Sequence, residues 1–335
     1  MNNYNKISIL YTGGTIGMIG TNNGLASDSN LPEKVASLLE KYKWHNQISW
    51  SIEEQLIDSS CITPQHWLNW QNKITQLFEN YDKVIVLHGT DTMAYSAALF
   101  NILFTNQDKS LIFTGSQKTW DEKNSDASHN LLCAILATGI NFRGTGIVFA
   151  NHLFNPADCR KISTINNNGF AAIFKQPYAE YTKGQWQFLS KIEKPTIPKK
   201  FQILNPNLRI ASAYLMPGFS LDIISEILEE NKCDAMILQS FGNGNVPDNK
   251  RFINAVKNFC NQGKIILNIS QNLHGEASTR YAQNQTISNA GAINGGFLTP
   301  ENALAKLNIA LSAQMSVEEM REYLPNRVLQ NNDSL

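Results

Sequence analysis

The chain has no apolar run approaching the ~18 residues that cross a bilayer, and no excess of charge of either sign. Lys and Arg together number 28, and so do Asp and Glu. That balance argues against nucleic acid or an anionic membrane as the main partner. Cysteine is scarce: five residues, at 61, 133, 159, 233 and 260, with no C-x-x-C pair. So odd and scattered a set excludes a disulfide framework and fits reduced thiols in a cytoplasmic protein. G-x-G-x-x-G and G-x-x-x-x-G-K are both missing, so dinucleotide and phosphate loops lack support. H-E-x-x-H and G-x-S-x-G are missing too, and the six histidines show no metal-ligand spacing. Met1-Asn2-Asn3-Tyr4-Asn5-Lys6 offers neither a basic region nor an apolar stretch, so no signal peptide is expected. There is no internal repeat, low-complexity tract or heptad seam.

What the chain does have is alternation. Its 335 residues suit two domains, and strands alternate with helices from the start, which predicts α/β architecture with parallel sheets flanked by helices. A strand at Ile7–Leu10 is followed by a polar loop over 18–30, read as mobile, and a helix over 32–43 that starts at Pro32. A strand near 48–57 ends in Asp58-Ser59-Ser60. Thr63-Pro64 then opens a helix whose stripe is Trp67, Trp70, Ile74, Leu77 and Tyr81, with the tryptophans taken as core. Further strands are expected at 83–87, 111–113 and 146–150, and helices at 93–104 and 127–138. The strand to 150 is the last clear one of this half. Residues 191–208 hold three prolines and four lysines with little periodicity and read as a linker between domains 1–190 and 209–335. In the second half, strands at 209–214, 235–239 and 264–269 alternate with helices at 220–230 and 248–261. Helices near 300–312 and 316–323 follow.

Two strand ends carry chemistry. Lys6-Ile7-Ser8-Ile9-Leu10-Tyr11-Thr12-Gly13-Gly14-Thr15-Ile16-Gly17 places a threonine hydroxyl just past a buried strand, where open α/β sheets bind ligands. Lys83-Val84-Ile85-Val86-Leu87-His88-Gly89-Thr90-Asp91-Thr92 does the same and adds a carboxylate. A hydroxyl held there is a nucleophile if a base is near; otherwise it is a cap on a turn. Two such ends in one chain are more than structure alone requires. His88 reads as packing or orienting the second strand end.

Tyr11-Thr12-Gly13-Gly14-Thr15-Ile16-Gly17 and Leu87-His88-Gly89-Thr90-Asp91-Thr92-Met93-Ala94-Tyr95 resemble the two signature motifs of the bacterial L-asparaginases, most closely the cytoplasmic type I branch. The resemblance implies an asparaginase-like fold of two α/β domains, the first with a left-handed crossover. It implies hydrolysis of L-asparagine to L-aspartate and ammonia without a cofactor. It also implies a homotetramer, a dimer of dimers, in which each site is completed by a neighbour's second domain. Thr15 matches the nucleophile, Thr90, Asp91 and Lys161 the proton-handling set, and Ser59, Ser60, Thr90, Asp91 and Asn245 the substrate contacts. Asp91 would pair with the substrate ammonium, and a lysine in a low-dielectric pocket can serve as a base. Lys161 lies ahead of Gly169-Phe170 with a slightly longer spacing than the family's.

Three departures stand out. The family's loop tyrosine is replaced by Leu25 after Gly24, and the Asp that usually follows the serines is Cys61. A regulatory asparagine site found in some type I enzymes would need an arginine and a cysteine where Gln239 and Asn272 stand. Leu25 and Cys61 keep a catalytically silent asparagine sensor open as an alternative. A first strand at residue 6 argues against the asparaginase-like subunit of a tRNA-dependent amidotransferase.

Overall fold

Ile7–Gly13 forms the first strand, β1, and all seven of its residues are buried. A strand covered on both faces runs apolar without alternating, and it needs helices above and below. The computed structural model, which describes residues 6–22, 24–278 and 282–326 (282–284 by backbone alone), supplies them. The segment Met1–Asn5, read above for a signal peptide, lies outside the described residues.

The chain divides into two units, one up to Ile197 and one from Pro198. After β1 the first unit continues through β2 (Met18–Thr21), β3 (Gly24–Ser27), α1 (Leu31–Lys41), β4 (Ile48–Ile57), α2 (Pro64–Asn80) and β5 (Lys83–Leu87). Next come α3 (Met93–Leu103), β6 (Ser110–Thr114), α4 (Ala127–Ala137) and β7 (Gly144–Phe149). Five short strands close the unit: β8 (His152–Phe154), β9 (Cys159–Lys161), β10 (Phe170–Ala172), β11 (Ala179–Thr182) and β12 (Gln185–Phe188). The main sheet has the order β12-β11-β8-β7-β6-β5-β1-β4, parallel from β7 to β4. β1 therefore lies between β4 and β5, and their carboxyl ends emerge side by side. On α2, Trp67, Trp70, Ile74 and Phe78 are the buried residues. Phe78 replaces the expected Leu77 because it continues the four-residue step that keeps one helix face inward.

Two expectations are corrected here. Residues 18–30 hold the antiparallel hairpin β2–β3, with Met18 opposite Ser27 and Thr21 opposite Gly24. Beyond residue 150 the first unit has five more strands. Their brevity hides any period, and the turn from β7 to β8 is made by Ala150 and Asn151, both at positive φ (44° and 69°). Paired positive φ is what a two-residue hairpin turn needs, but alanine does not advertise it.

The second unit contains β13 (Ile210–Tyr214), α5 (Ser220–Glu229), β14 (Ala235–Ser240), α6 (Lys250–Asn261), β15 (Ile265–Ser270), α7 (Ala282–Asn289) and β16 (Ile293–Asn294). Two helices, α8 (Pro300–Ser312) and α9 (Val317–Tyr323), complete it. Its sheet, β13-β14-β15-β16, is wholly parallel. Leu228, Phe252, Val256 and Phe259 cover one face; Leu307, Ala310, Met320 and Leu324 cover the other. No helix or strand falls within 191–208, and α7 and β16 were not anticipated.

Lys306 on α8 ends the last helix. Its Nζ donates to the carbonyls of Tyr323 (2.8 Å) and Leu324 (3.0 Å) and stands 5.2 Å from the Tyr323 ring centroid. A cation at a helix C-terminus answers both the orphan carbonyls and the dipole. Lys306→Met should therefore destabilise the fold by about 1–3 kcal/mol although it makes a mostly buried side chain more apolar. Denaturant unfolding measures this, and a gain in stability would contradict the capping role.

Candidate active site

Three strand ends converge because side chains are missing where the backbones meet. Gly13 and Gly14 turn the chain at positive φ (122° and 88°), and a Cβ on Gly14 would come within 2.4 Å of the Gly89 Cα. Only glycine allows that approach. Thr15 follows, half-buried, at the start of a single 3-10 turn, Thr15–Gly17. Thr12 ties the two ends together, its hydroxyl donating to the Leu87 carbonyl at 2.9 Å.

The turn after β4 is the third wall. Asp58 caps the short turn Ser59–Cys61 by accepting the Ser60 N–H at 2.8 Å. Ser59 is buried. Its hydroxyl oxygen accepts the Asp91 N–H at 3.2 Å, and its carbonyl accepts the Thr92 hydroxyl at 2.8 Å. That N–H is consequently engaged within the protein.

Lys161, at the end of β9, comes from the other side. Its Nζ donates to the Thr90 hydroxyl at 2.7 Å and pairs with Asp91 Oδ1 at 2.6 Å. The Lys161 side chain is 16% exposed and that of Asp91 57%. Asp91 thus has room on its open side for a second cation. A cavity of about 200 Å³ is lined by Thr15, Ser59, Thr90, Asp91 and Lys161 together with Gly14, Met18, Asp58, Gly89, Gln117 and Thr164.

Of the residues picked out from sequence, Thr15, Ser59, Thr90, Asp91 and Lys161 share this cavity. Ser60 is exposed and does not line it. Asn245 belongs to the second unit, in a turn closed by its own N–H to the Phe241 carbonyl (2.7 Å), and its Oδ1 is buried without a hydrogen-bond partner. Leu25 lies on β3 opposite Gly20 and is largely exposed. Gln117, Thr164, Met18 and Asp58 were missed. Gln117 was findable, because it follows β6 as Thr15 follows β1 and Thr90 follows β5. Among the described residues no group of three or more His, Cys, Asp or Glu could hold a metal ion.

His88 fixes the turn that presents Thr90. It is fully buried, with Nδ1 2.7 Å from the Gly89 carbonyl and Nε2 2.8 Å from Ser96 Oγ, which also accepts the Trp67 indole N–H at 2.9 Å. A carbonyl can only accept, so Nδ1 carries the proton and Nε2 accepts from Ser96. Burial pushes the imidazole pKa down to about 4, opposed in part by the Gly89 carbonyl. The ring is neutral and structural.

A family model described as asparaginase, N-terminal, matches residues 6–194, and one described as glutaminase/asparaginase C-terminal domain matches 209–324. The chain belongs to the asparaginase family. It is 30% identical over 325 residues to L-asparaginase 1 of Escherichia coli (strain K12), 95% of each chain. To the L-asparaginase of Thermococcus kodakarensis it is 27% identical over 329 residues, 96% of this chain and 98% of that one. The solved L-asparaginase I from Vibrio cholerae O1 biovar eltor matches with a TM-score of 0.82 at 31% identity, covering 99% of this chain and 100% of its own. In this member of the asparaginase family, the strand-end threonines of both sequence motifs open into one cavity.

The neutral histidine gives a pH signature. An unfolded histidine titrates near 6.5, so between that value and about 4 the unfolded state binds more protons than the folded one. Stability is then lost as pH falls through this window, by up to about 3 kcal/mol from His88. Denaturant unfolding of wild type and His88→Gln should show a stability gap that narrows from pH 7 to pH 4. A constant gap would mean that His88 does not fold as the neutral ring.

Proposed function

We propose that the chain is a cytoplasmic L-asparaginase that hydrolyses the side-chain amide of L-asparagine through an acyl-enzyme on Thr15. One observation carries the reading: Lys161 Nζ bridges Thr90 and Asp91 at the mouth of the cavity that Thr15 lines. Family membership supports amide hydrolysis in general; the substrate and the roles below are the proposal.

Thr15 Oγ attacks the amide carbon as its proton passes through the Thr90 hydroxyl to Lys161, which takes part in this step as the neutral amine. The tetrahedral oxyanion is met by backbone N–H groups near Thr90. The leaving nitrogen takes that proton from Lys161 and departs as ammonia, leaving a β-aspartyl ester and the amine ready to accept a proton from water. Water, activated by the same pair, then attacks the ester to release aspartate and restore the hydroxyl. Asp91 receives the substrate ammonium on its open side, and Ser59, the serine that lines the cavity, holds the carboxylate.

Asn245 completes a neighbour's site, as the dimer-of-dimers arrangement requires. Tyr214, Met216, Phe219 and Ile223 expose a run of large apolar side chains on the second unit, the kind of surface that association covers. Among the described residues no helix is long and apolar enough to cross a membrane.

Ammonia release from purified protein given L-asparagine tests the activity. Thr15→Ala and Thr90→Val should each cut kcat by about 10³-fold or more while leaving circular dichroism and unfolding unchanged. Near-native turnover in either variant would remove that threonine from the chemistry.

Leu25 adds a second test. Leucine can cover the site but neither accepts nor relays a proton, so the chain lacks the assistance a loop tyrosine gives, typically worth about 10²–10⁴ in rate. Leu25→Tyr should raise kcat with little change in Kd, since the added hydroxyl acts on the transition state. An unchanged kcat in an already fast enzyme would show that this position needs no hydroxyl.

A further inference from the structure

Lys161 is carried by a two-stranded sheet, β9–β10, that is not part of the main sheet. The loop joining its strands, 162–169, has no apolar anchor of its own: Ile162 is 51% exposed and Ile165 88%. Its local bonds are the Ile162 and Ser163 N–H groups to the Gly169 carbonyl (2.8 and 3.3 Å) and the Ser163 hydroxyl accepting from the N–H groups of Ile165 and Asn166. These shape the loop, but none of them reaches the strand ends where Thr90 stands. Phe170, opposite Lys161, packs its ring 4.9 Å from that of Phe149 and seats the base of the hairpin, which leaves the tip to be held by another contact.

Gln117 does reach. It follows β6, lines the cavity, and its Nε2 donates to the carbonyls of Ser163 (2.9 Å) and Asn166 (3.2 Å). Two acceptor carbonyls fix which end of the amide faces the loop, because only the nitrogen can donate. Gly169 leaves the room: a Cβ there would lie 2.5 Å from Gln117 Nε2. The other end of Gln117 is fastened by a buried carboxylate. Asp126, 7% exposed, accepts the Gln117 N–H (2.9 Å to Oδ2) and the Lys118 N–H (3.1 Å), and it also accepts from the Asn130 amide (3.0 Å). Asn130 in turn donates to the Gly115 carbonyl and accepts the Ala150 N–H, which joins the ends of β6 and β7.

We infer that Gln117, clamped by Asp126, is a positioning residue that holds the loop 162–169, and through it Lys161 at the end of β9, in register with Thr90 and Asp91. The inference rests on the amidohydrolase reading above. It assigns Gln117 no contact with the reacting atoms; it acts through Lys161. Thr90 lies in the turn after β5 that His88 pins, and Asp91 is held by Ser59, so both keep their places without Gln117. Loss of the amide donors therefore moves the proton-handling lysine and leaves the substrate anchors.

The test uses Gln117→Met, which keeps the length and removes the donors, and Gln117→Glu, which keeps the shape. With asparagine as substrate, kcat should fall about tenfold or more in both. KM should stay within about threefold and Tm within a few degrees of wild type, the pattern of a loss confined to the transition state. Amide hydrogen exchange at Ile162 and Ser163 should accelerate. A carboxylate facing two carbonyls is driven toward its neutral form, which can donate one hydrogen bond, so the ratio of kcat for Gln117→Glu to that for Gln117→Met should rise as pH is lowered. An unchanged kcat, or equal losses in kcat, substrate binding and Tm, would overturn the positioning role. If wild type itself releases no ammonia, the amidohydrolase reading fails instead. The exchange rates at Ile162 and Ser163 then decide the positioning claim alone, and unchanged rates overturn it.

Discussion

Lys161 reaches the end of β5 from a separate hairpin, and its ammonium lies within 2.7 Å of Thr90 and 2.6 Å of Asp91. The pair contributes little to folding, because the carboxylate is more than half exposed and such ion pairs are worth about 0–1 kcal/mol. Its value is positional. A proton-transferring amine is useful only if it stays within hydrogen-bond reach of the hydroxyl it serves. Much of the first unit can be understood as meeting that constraint from two directions.

From one direction comes the rigid part. β1, β4 and β5 are adjacent parallel strands, so the segments at Thr15, Ser59 and Thr90 emerge together at one edge. Gly14 lets the first turn touch the third, and buried, neutral His88 pins the third against Ser96 and Trp67. From the other direction comes the adjustable part. The β9–β10 hairpin is fastened at its base by buried Asp158, which accepts the N–H groups of Phe174 and Lys175, and at its tip by Gln117. On the proposed reading, a site assembled in this way has rigidly held anchors for substrate and a lysine whose placement depends on a few polar contacts.

How legible this was depended on the kind of signal. Thr15 and Thr90 could be read because each follows a run of buried residues and a glycine, a pattern with a physical cause. Asp91 came with Thr90. Lys161 was placed by resemblance alone, since nothing about Cys159-Arg160-Lys161 marks a strand. The hairpin at Met18–Ser27 reads as a polar loop because five of its eight pairing residues are polar or small and seven are exposed. Short strands such as β8 and β9 cannot show a period in three residues, and α7 has too few apolar positions to declare a face. Gln117 lies past the strand at 111–113, where the same strand-end logic applies. Its importance lies in two backbone carbonyls far along the chain, which no sequence pattern displays.

Covalent catalysis at Thr15 is the claim from which the other roles follow. It is tested most directly by quenching the protein in acid during turnover of asparagine and mapping its tryptic peptides by mass. An ester on Thr15 would add one aspartyl group to the peptide that contains it, with fragment ions separating Thr15 from Thr12 and Thr21. An aspartyl group on Thr90 or Ser59, or an unmodified chain caught in mid-turnover, would contradict it.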